Sequence, residues 1–285
     1  MKHKQLKLTR RGLLKAAVRT GIGTVGLFAW SREIEPEWVE VNHIDLKLPR
    51  LAAPFHDFKL AQISDIHMDS WMTRSRLEEV VHLVNSQQPD MVAITGDFVT
   101  YISRGVAANL VRALSQLRPR LGTVAVLGNH DHWTNAIVIR RVVAQAGMID
   151  LSNKVHTLHR GDAMLHLAGL DDAWAGQDDM DAVMQQLPSQ GAAILLAHEP
   201  DFADEYVKTR RFDLQLSGHS HGGQVRVPLV GPIKLPPYGK QYHSGLYQVD
   251  DMQLYTNRGI GMLWPHVRFN CRPEITIFHL QSSAA

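Results

Sequence analysis

A chain of 285 residues that is 45% hydrophobic and 20% charged can bury one large core, which excludes an intrinsically disordered protein. Its single cysteine, Cys271, excludes an internal disulfide and a thiolate-rich zinc site. Seven of its basic residues lie in the first 19 positions, and the remainder has 23 basic against 28 acidic residues, which excludes a general nucleic-acid-binding surface.

The N-terminal segment, residues 1–36, contains a run that resembles a twin-arginine export signal. Two adjacent arginines are followed by two leucines and a lysine in Thr9–Lys15. The apolar stretch at 20–30 is too short to span a bilayer, and no A-x-A-like cleavage site lies near Ala29. We predict export or a membrane-held N-terminus. The alternatives are a basic, partly disordered tail that touches anionic lipid, and a cytoplasmic location.

Residues 37–285 are predicted to form a single domain, whose first half alternates strands with helices. The predicted strands are Val39–Leu48, Lys59–Ser64, Met91–Thr95 and Thr123–Leu127, and the predicted helices are Arg76–Asn85, Val106–Leu117 and Ala136–Ala146. Because a helix separates most consecutive strands, we expect mostly parallel strands that are adjacent in one sheet.

The second half has the pattern of short strands with few helices. The predicted strands are Met164–Ala168, Ala192–Ala197, Leu214–Ser217, Gly245–Val249, Gln253–Thr256 and Glu274–His279, and the helices are Met180–Leu187 and Phe202–Val207. This pattern predicts a second sheet packed on the first, with an antiparallel hairpin that turns at Asp250-Asp251. The stretch Pro228–Gly239 is predicted to be a long loop, either functional or a surface excursion.

Five of the predicted strands are followed by small residues together with Asp, Asn or His. The runs are Ser64-Asp65-Ile66-His67, Gly96-Asp97, Gly128-Asn129-His130-Asp131, Ala197-His198 and Gly218-His219-Ser220-His221. The first three runs are spaced by roughly 30 residues, the length of one βαβ unit. Side chains one such unit apart lie at the same C-terminal edge of a sheet, where α/β proteins build their sites.

Seven residues in these runs have side chains that can bind a metal ion. They are Asp65, His67, Asp97, Asn129, His198, His219 and His221. Carboxylate, imidazole and amide ligands without thiolate suit Mn, Fe, Zn or Co, of which we favour Mn. Two such ions polarise a phosphoryl oxygen and lower the pKa of bound water, and we expect Asp97 to bridge them. The pattern therefore predicts a hydrolase of phosphate esters.

The ordered motifs resemble the calcineurin-like metallophosphoesterase family. The runs His219–Gln224, Asn257–Gly261 and Cys271–Ile275 are similar, more narrowly, to its YaeI-type bacterial phosphodiesterases. The resemblance extends from about Val39 to the last strand. It implies a four-layer α/β/β/α sandwich of two mixed sheets, with a dinuclear metal site at the C-terminal ends of the strands.

The resemblance also implies a role for each residue of the site. One metal ion would take Asp65, His67, Asp97 and His221, and the other would take Asp97, Asn129, His198 and His219. His130 would contact phosphate or protonate the leaving oxygen, and Asp131 would orient it. No organic cofactor is expected.

The function that we predict is a metal-dependent phosphodiesterase, in which a metal-bound hydroxide attacks phosphorus in line. The runs of the protein Ser/Thr phosphatases of this superfamily are missing after Gly96-Asp97 and after His130, so that activity is not expected. The first alternative is a pyrophosphatase that cleaves a nucleotide-diphospho-lipid (UDP-diacylglucosamine-like) at the membrane. The basic tail and the apolar residues Leu229, Val230, Ile233 and Leu235 motivate this alternative. The second alternative is a catalytically silent binding scaffold.

Several other residues have two interpretations. His132 and Trp133 either line the substrate cleft or pack beside it, and Arg258 and Arg272 either form structural ion pairs or contact phosphate. Glu199 is expected to be a solvent-facing carboxylate. The substrate is expected to be a small-molecule or lipid-linked phosphodiester, and the oligomeric state is not predicted.

Overall fold

A computed structural model describes residues 25–102 and 105–283 of the chain. The predicted twin-arginine run, Thr9–Lys15, lies outside the described residues. Within the described ranges, no helix has both the length and the apolar character needed to cross a membrane.

The first sheet has six strands in the order β1-β14-β2-β3-β4-β5. Their bounds are β1 Glu40–Leu48, β2 Phe58–Ile63, β3 Met91–Thr95, β4 Thr123–Val126, β5 Ile149–Asp150 and β14 Glu274–Ser282. The strands β2, β3 and β4 are parallel and adjacent, as predicted, and β5 continues the parallel order. The last strand, β14, pairs antiparallel with β2 and parallel with β1, so the end of the chain returns to the first sheet.

The second sheet also has six strands, in the order β12-β13-β9-β8-β7-β6. Their bounds are β6 Lys154–Arg160, β7 Ala163–Gly169, β8 Ala192–Leu196, β9 Leu214–Ser217, β12 Gly245–Val249 and β13 Met252–Thr256. The strands β7, β8, β9 and β13 are parallel, and antiparallel strands lie at both edges. The sheet is therefore mixed, like the first one.

Helices cover the outer face of each sheet. Their bounds are α1 Arg74–Ser86, α2 Val106–Leu114, α3 Asn129–Thr134, α4 Ala136–Gln145, α5 Met180–Gln186 and α6 Ala203–Tyr206. Helix α1 begins at a Thr73 cap, whose side chain accepts a hydrogen bond from the Arg76 N–H. Its buried residues, Leu77, Val80, Val81 and Val84, follow the helical spacing seen in the sequence.

Three buried apolar clusters separate the four layers. Successive side chains of a strand point to opposite faces, so Leu60 lies between the two sheets, whereas Ala61 packs under the first helices. In the second sheet, Ile194 faces the first sheet and Leu195 faces α5 and α6. The predicted α/β/β/α sandwich of two mixed sheets is confirmed.

The structure differs from the sequence-based prediction in four places. The predicted strand Glu274–His279 belongs to the first sheet, as part of β14, and not to the second. The strands β5 and β6 had not been predicted. The predicted loop Pro228–Gly239 contains part of a short hairpin, whose strands are β10 Arg226–Val227 and β11 Gly231–Pro232. The Asn129–Asp131 run forms the first turn of α3, because the extended residue Gly128 is the N-cap of this helix.

Candidate metal centre

The seven candidate ligands converge where the C-terminal ends of the two sheets meet. Asp65, His67, Asp97 and Asn129 follow β2, β3 and β4 of the first sheet, and His198, His219 and His221 follow β8 and β9 of the second. All seven side chains are buried, and none belongs to a residue more than 4% exposed. The centre therefore exists only where the two sheets pack together.

The Asp97 carboxylate lies between groups from both sheets. Its Oδ2 is 3.4 Å from His67 Nε2 and 3.2 Å from His198 Nε2. Its Oδ1 accepts a hydrogen bond from the backbone N–H of His130 at 2.9 Å. One carboxylate thus faces imidazoles that belong to opposite halves of the cluster.

Asp65 and His221 form the side of the cluster that includes His67. His221 Nε2 is 3.0 Å from His67 Nε2 and 3.4 Å from Asp65 Oδ1. The Asp65 carboxylate also accepts the backbone N–H of His219, at 3.0 and 3.1 Å from its two oxygens. This contact ties the end of β2 to the end of β9.

Two imidazoles on the other side are oriented by backbone carbonyls. His198 Nδ1 donates to the Thr95 carbonyl at 2.7 Å, and His219 Nε2 donates to the Pro237 carbonyl at 2.8 Å. A carbonyl can only accept, so each contacting nitrogen carries a proton, and in the neutral ring the other nitrogen has the lone pair that can bind a metal ion. Hydrogen bonds of this kind are typical of histidines that bind metals.

The donor set fits divalent cations. Asn129 Oδ1 and His198 Nε2 are buried without a hydrogen-bond partner, which is costly unless something else satisfies them. Ligand atoms of Asp65, His67 and His221 lie within 4.8 Å of one another, as do those of Asp65, Asp97 and His198. Carboxylate, amide and neutral imidazole donors suit borderline transition-metal ions.

Burial sets the protonation of the cluster. It lowers the pKa of His219 to about 3, and it lowers the pKa of His221 well below its usual value, with help from His67. Burial alone would raise the pKa of Asp97, but the His198 and His67 imidazoles hold it well below its ordinary value. At neutral pH His219 and His221 are therefore neutral and Asp97 is ionised, as metal binding requires. Burial alone would lower the pKa of His198, but Asp97 raises it well above the ordinary value, so this ring must release a proton when it binds a metal ion.

The backbone around the cluster is unusual. Five of the seven candidate ligands have left-handed backbone conformations, with φ between 46° and 71°: Asp65, His67, Asp97, His219 and His221. Such conformations are costly for residues with a Cβ, and they concentrate at functional sites. At Gly218 and Gly128, a Cβ would lie closer than 3.0 Å to Asp65 Oδ2 and to Asp97 Oδ1 respectively. Glycine is therefore needed beside the ligands of two runs.

His130 and Asp131 have different environments from those predicted. The Asp131 carboxylate accepts the backbone N–H groups of Phe98 and Gly128, at 2.9 and 3.0 Å. The His130 ring instead places its Nδ1 3.1 Å from the Thr100 carbonyl. The interpretation of Asp131 as the group that orients His130 is corrected, because backbone groups occupy its carboxylate oxygens.

A cleft of about 470 Å³ opens beside the cluster. Its lining includes Asp97, Asn129 and His130, together with Trp133 and Trp174. The Trp133 and Trp174 rings meet edge to face, 4.8 Å apart. Trp133 therefore lines the cleft, as one of its two interpretations had it.

Trp174 completes one wall of this cleft, whereas His132 is not among the described residues that line it. His132 Nε2 instead lies 2.8 Å from Asp171 Oδ1. Trp174 packs edge to face on His219, with ring centroids 5.5 Å apart, and was missed in the sequence. The signal was present, because Asp171-Asp172-Ala173-Trp174 follows a strand just as the ligand runs do.

Other polar residues support the fold around the centre. Arg258 pairs with Glu274 and with Glu40, which favours the structural interpretation of Arg258. The Arg272 guanidinium lies over the Trp38 ring, 3.5 Å from its centroid, and forms no ion pair with any residue that the structure describes. Glu199 is 1% exposed, so its prediction as a solvent-facing carboxylate is wrong.

Arg268 is a second residue that sequence analysis missed. It is fully buried and donates to the carbonyls of Gly259 and Gly261, at 3.0 and 2.6 Å. The Gly261 N–H in turn donates to the Asp65 carbonyl at 2.8 Å. Arg268 therefore holds the loop that supports Asp65. No local motif distinguishes it from the other arginines.

Comparison with known proteins agrees with this geometry. A family profile described as calcineurin-like phosphoesterase matches residues 58–223. The chain is 35% identical to the metallophosphoesterase YkuE of Bacillus subtilis (strain 168), over 97% of this chain and 99% of that protein. It is 32% identical to phosphodiesterase YaeI of Escherichia coli (strain K12), over 96% and 99%.

A further relative has a named substrate. The chain is 27% identical to the UDP-2,3-diacylglucosamine pyrophosphatase LpxG of Chlamydia muridarum (strain MoPn / Nigg), over 87% of this chain and 91% of that protein. Calcineurin-like phosphoesterases use a dinuclear divalent metal centre, and the buried Asp and His groups described above are able to bind metal. The chain belongs to the calcineurin-like phosphoesterase family and is a hydrolase of phosphoesters.

Proposed function

We propose that this protein hydrolyses phosphodiester bonds at two divalent cations that share Asp97. Asp65, His67 and His221 would complete the ligands of one ion, and Asn129, His198 and His219 those of the other. The observation that carries the proposal is the burial of all seven side chains around Asp97. Manganese is the ion that we favour.

Divalent cations bound by these residues would supply a water molecule of lowered pKa and would polarise the phosphoryl oxygens. The residues of the chain prepare the site for them. The Thr95 and Pro237 carbonyls fix the tautomers of His198 and His219, so that the free lone pairs face the cluster. The two imidazole rings are therefore oriented before a substrate binds, so they do not have to reorient during the reaction.

His130 is the group that we propose to act on the leaving oxygen. Its Nδ1 donates to the Thr100 carbonyl, so the neutral ring has its lone pair on Nε2. Burial lowers the pKa of this ring, so a proton must be taken up at Nε2 before the leaving oxygen can receive it. His130 thus acts as a proton carrier, and Asp131 acts by holding the Gly128 and Phe98 backbone in place.

The sparse positive charge of the cleft favours a diester over a monoester. Among the described residues that line it, Lys234 is the one lysine or arginine. A monoester dianion would need more cationic partners than a singly charged diester. The remaining lining is largely apolar or aromatic, including Ile233, Leu235, Leu263 and Trp264.

A second candidate function is cleavage of a nucleotide-diphospho-lipid, such as a UDP-diacylglucosamine-like substrate. The apolar lining of the cleft favours it, because an acyl chain can lie against Ile233, Leu263 and Trp264. The relative from Chlamydia muridarum carries the name of such a pyrophosphatase. Both candidates use the same metal chemistry, so substrate comparison separates them.

For the N-terminal segment we propose export or retention at a membrane, through the run Thr9–Lys15. Replacing Arg10 and Arg11 with lysine should then leave the protein in the cytoplasm, as measured by cell fractionation. An unchanged distribution would favour the cytoplasmic alternative.

The proposed chemistry is tested by metal analysis coupled to a substrate panel. The purified protein should contain about two transition-metal ions, and a chelator should abolish hydrolysis of bis(p-nitrophenyl) phosphate. Asp97→Ala and His219→Ala should each lose metal and at least about a thousandfold in activity. The exposed Asp250→Ala and His82→Ala serve as matched controls.

The panel adds p-nitrophenyl phosphate and a nucleotide-diphospho-lipid. Faster turnover of the lipid than of the diester would favour the second candidate. Full diesterase activity in Asp97→Ala, with the fold verified by circular dichroism, would contradict the proposed centre. A protein that binds no metal and hydrolyses none of these compounds would be the binding scaffold.

A further inference from the structure

The mouth of the cleft is surrounded by exposed apolar side chains. Leu229 is fully exposed at the tip of the β10–β11 hairpin, next to Val230, which is 78% exposed. Ile233, on the same hairpin, is 66% exposed, and Trp264 on the facing loop is 85% exposed. Large apolar side chains grouped at one place on a protein surface mark an interaction site. We call Leu229, Val230, Ile233 and Trp264 the docking rim.

The docking rim is continuous with the N-terminal part of the described chain. The hairpin is joined to the 263–269 loop, because the Arg226 N–H donates to the Phe269 carbonyl at 2.9 Å. That loop is joined to the N-terminal segment, because the Arg268 N–H donates to the Ser31 carbonyl at 2.8 Å. The helical residues at 25–29 bring further exposed apolar side chains, those of Val25, Leu27 and Phe28.

Acidic residues are missing from the sequence stretches that carry the docking rim. The sequence has no aspartate or glutamate at 214–249, at 252–273 or before Glu33. Exposed Lys234 and Lys240 lie in the first of these stretches, and seven basic residues lie in the first 19 positions. The chain without those seven has more acidic than basic residues. Apolar stretches that carry lysines and no acidic residues are complementary to an anionic surface.

We propose that the docking rim seats on an anionic lipid bilayer, where the cleft receives a phosphodiester whose apolar part stays in the bilayer. For its catalytic consequence the inference rests on the proposed function. A protruding hairpin tip with a fully exposed leucine is suited to insertion among lipids, whereas a second protein would pack better on a flat face. Trp264 adds the residue type that is enriched at membrane interfaces.

The position of the rim explains how such a substrate would reach the centre. Ile233 and Trp264 belong to the rim and also line the cleft. An acyl chain can therefore move from the bilayer to the cleft along apolar side chains. Lys234 follows Ile233 of the docking rim and also lines the cleft, so it supplies a cation for a phosphate headgroup.

The inference is tested with the full chain and with vesicles of two compositions. Flotation is measured with phosphatidylcholine alone and with phosphatidylcholine mixed with phosphatidylglycerol. The variant combines Leu229→Ser with Val230→Ser, because these residues are exposed and do not line the cleft. The control is Leu121→Ser, an exposed leucine that precedes β4, at the end of the sheet opposite to the metal centre.

We expect the wild type to bind the anionic vesicles more tightly, and salt to weaken the binding. The double variant should bind them at least about tenfold less tightly, because two apolar side chains no longer enter the interface. Leu121→Ser should bind like the wild type. All three proteins should hydrolyse soluble bis(p-nitrophenyl) phosphate at equal rates.

Equal vesicle binding by the wild type and the double variant would overturn the inference, since the basic tail alone would then hold the membrane. Absence of vesicle binding would overturn it too. If size-exclusion chromatography then showed a dimer that the double variant loses, the rim would bind a second copy of the chain and not a membrane. Vesicle binding that depends on Leu229 and Val230 in a protein without diesterase activity would uphold docking and refute the proposed function.

Discussion

The metal centre and the docking rim are neighbours with opposite physical character. The centre consists of buried polar side chains, and its Asp65 and Asp97 carboxylates accept backbone N–H groups from other segments. The rim consists of apolar side chains, and Leu229 and Trp264 project into solvent. Substitutions in the metal centre should therefore be destabilising, because its side chains hold several other segments in place. Substitutions in the docking rim should be tolerated, because few other residues contact its side chains.

This difference indicates which region fixes the chemistry and which selects the substrate. A buried cluster with strained backbone holds its geometry only if the surrounding structure determines it. An exposed hairpin can change in sequence at little cost in stability. We expect substitutions near the centre to change turnover or folding, and substitutions on the rim to change only binding. Three predictions test the part of that division that concerns the centre, and vesicle binding by the Leu229 and Val230 double variant tests the part that concerns the rim.

The largest effect is expected for His130→Gln. If the ring delivers a proton to the leaving oxygen, the variant should lose about 10²–10⁴-fold in kcat for an alkyl phosphodiester. It should lose much less for a p-nitrophenyl ester, whose leaving group needs no proton. Kinetics with both esters measure the difference, and His82→Gln is the control. Equal losses for the two leaving groups would remove the proton-carrier role.

A smaller effect is expected for Gly218→Ala. The new methyl group would press on Ser64 Oγ and Asp65 Oδ2, both buried, and should lower the free energy of unfolding by about 3 kcal/mol. Gly26→Ala, where no atom lies within 4 Å, should have almost no effect. Urea unfolding of both variants measures the comparison. A Gly218→Ala protein of wild-type stability would show that the centre is looser than its packing indicates.

The smallest effect is expected at Asp171, which supports the cleft wall. Burial alone would raise its pKa, but His132 and Arg140 hold the pKa below the ordinary value. A folded-state pKa below the unfolded one stabilises the fold above the unfolded pKa, and the gain disappears as pH falls through the folded pKa. Asp171→Asn should therefore lower the unfolding free energy by about 1–2 kcal/mol at pH 7.

The difference between Asp171→Asn and the wild type should shrink as the pH falls below 4. Unfolding curves collected from pH 7 downward measure it. A difference that is independent of pH would mean that the ion pair with Arg140 does not contribute.

The candidate ligands were accessible to sequence analysis because each follows a strand directly. The C-terminal ends of parallel strands lie at the same edge of a sheet. A residue that directly follows such a strand, as Asp97 and His198 do, is therefore placed at that edge by its position in the sequence. Trp174 and Arg268 were missed for different reasons. Trp174 follows a strand, but the run before it does not have the pattern of the metal-ligand runs. Arg268 acts by donating to backbone carbonyls, and no sequence motif indicates such contacts.

The contacts of Asp131 and Glu199 could not be derived from local sequence. Asp131 binds the backbone of a neighbouring strand end, 33 residues away at Phe98. Glu199 is buried by the packing of separate segments. Such partners are distant along the chain, and only the folded chain brings them together.

By itself, the sequence determined the ends of the strands that lead into the ligand runs, the residue types that follow them and the parallel order of β2, β3 and β4. These properties are local, because strand periodicity and the length of a βαβ unit operate within about 30 residues. The tertiary structure decided that the His198 and His219 runs of the second sheet face Asp97. It also decided that an apolar hairpin lies at the cleft mouth. Both depend on how two sheets pack, which is set by the burial of apolar surface between distant segments.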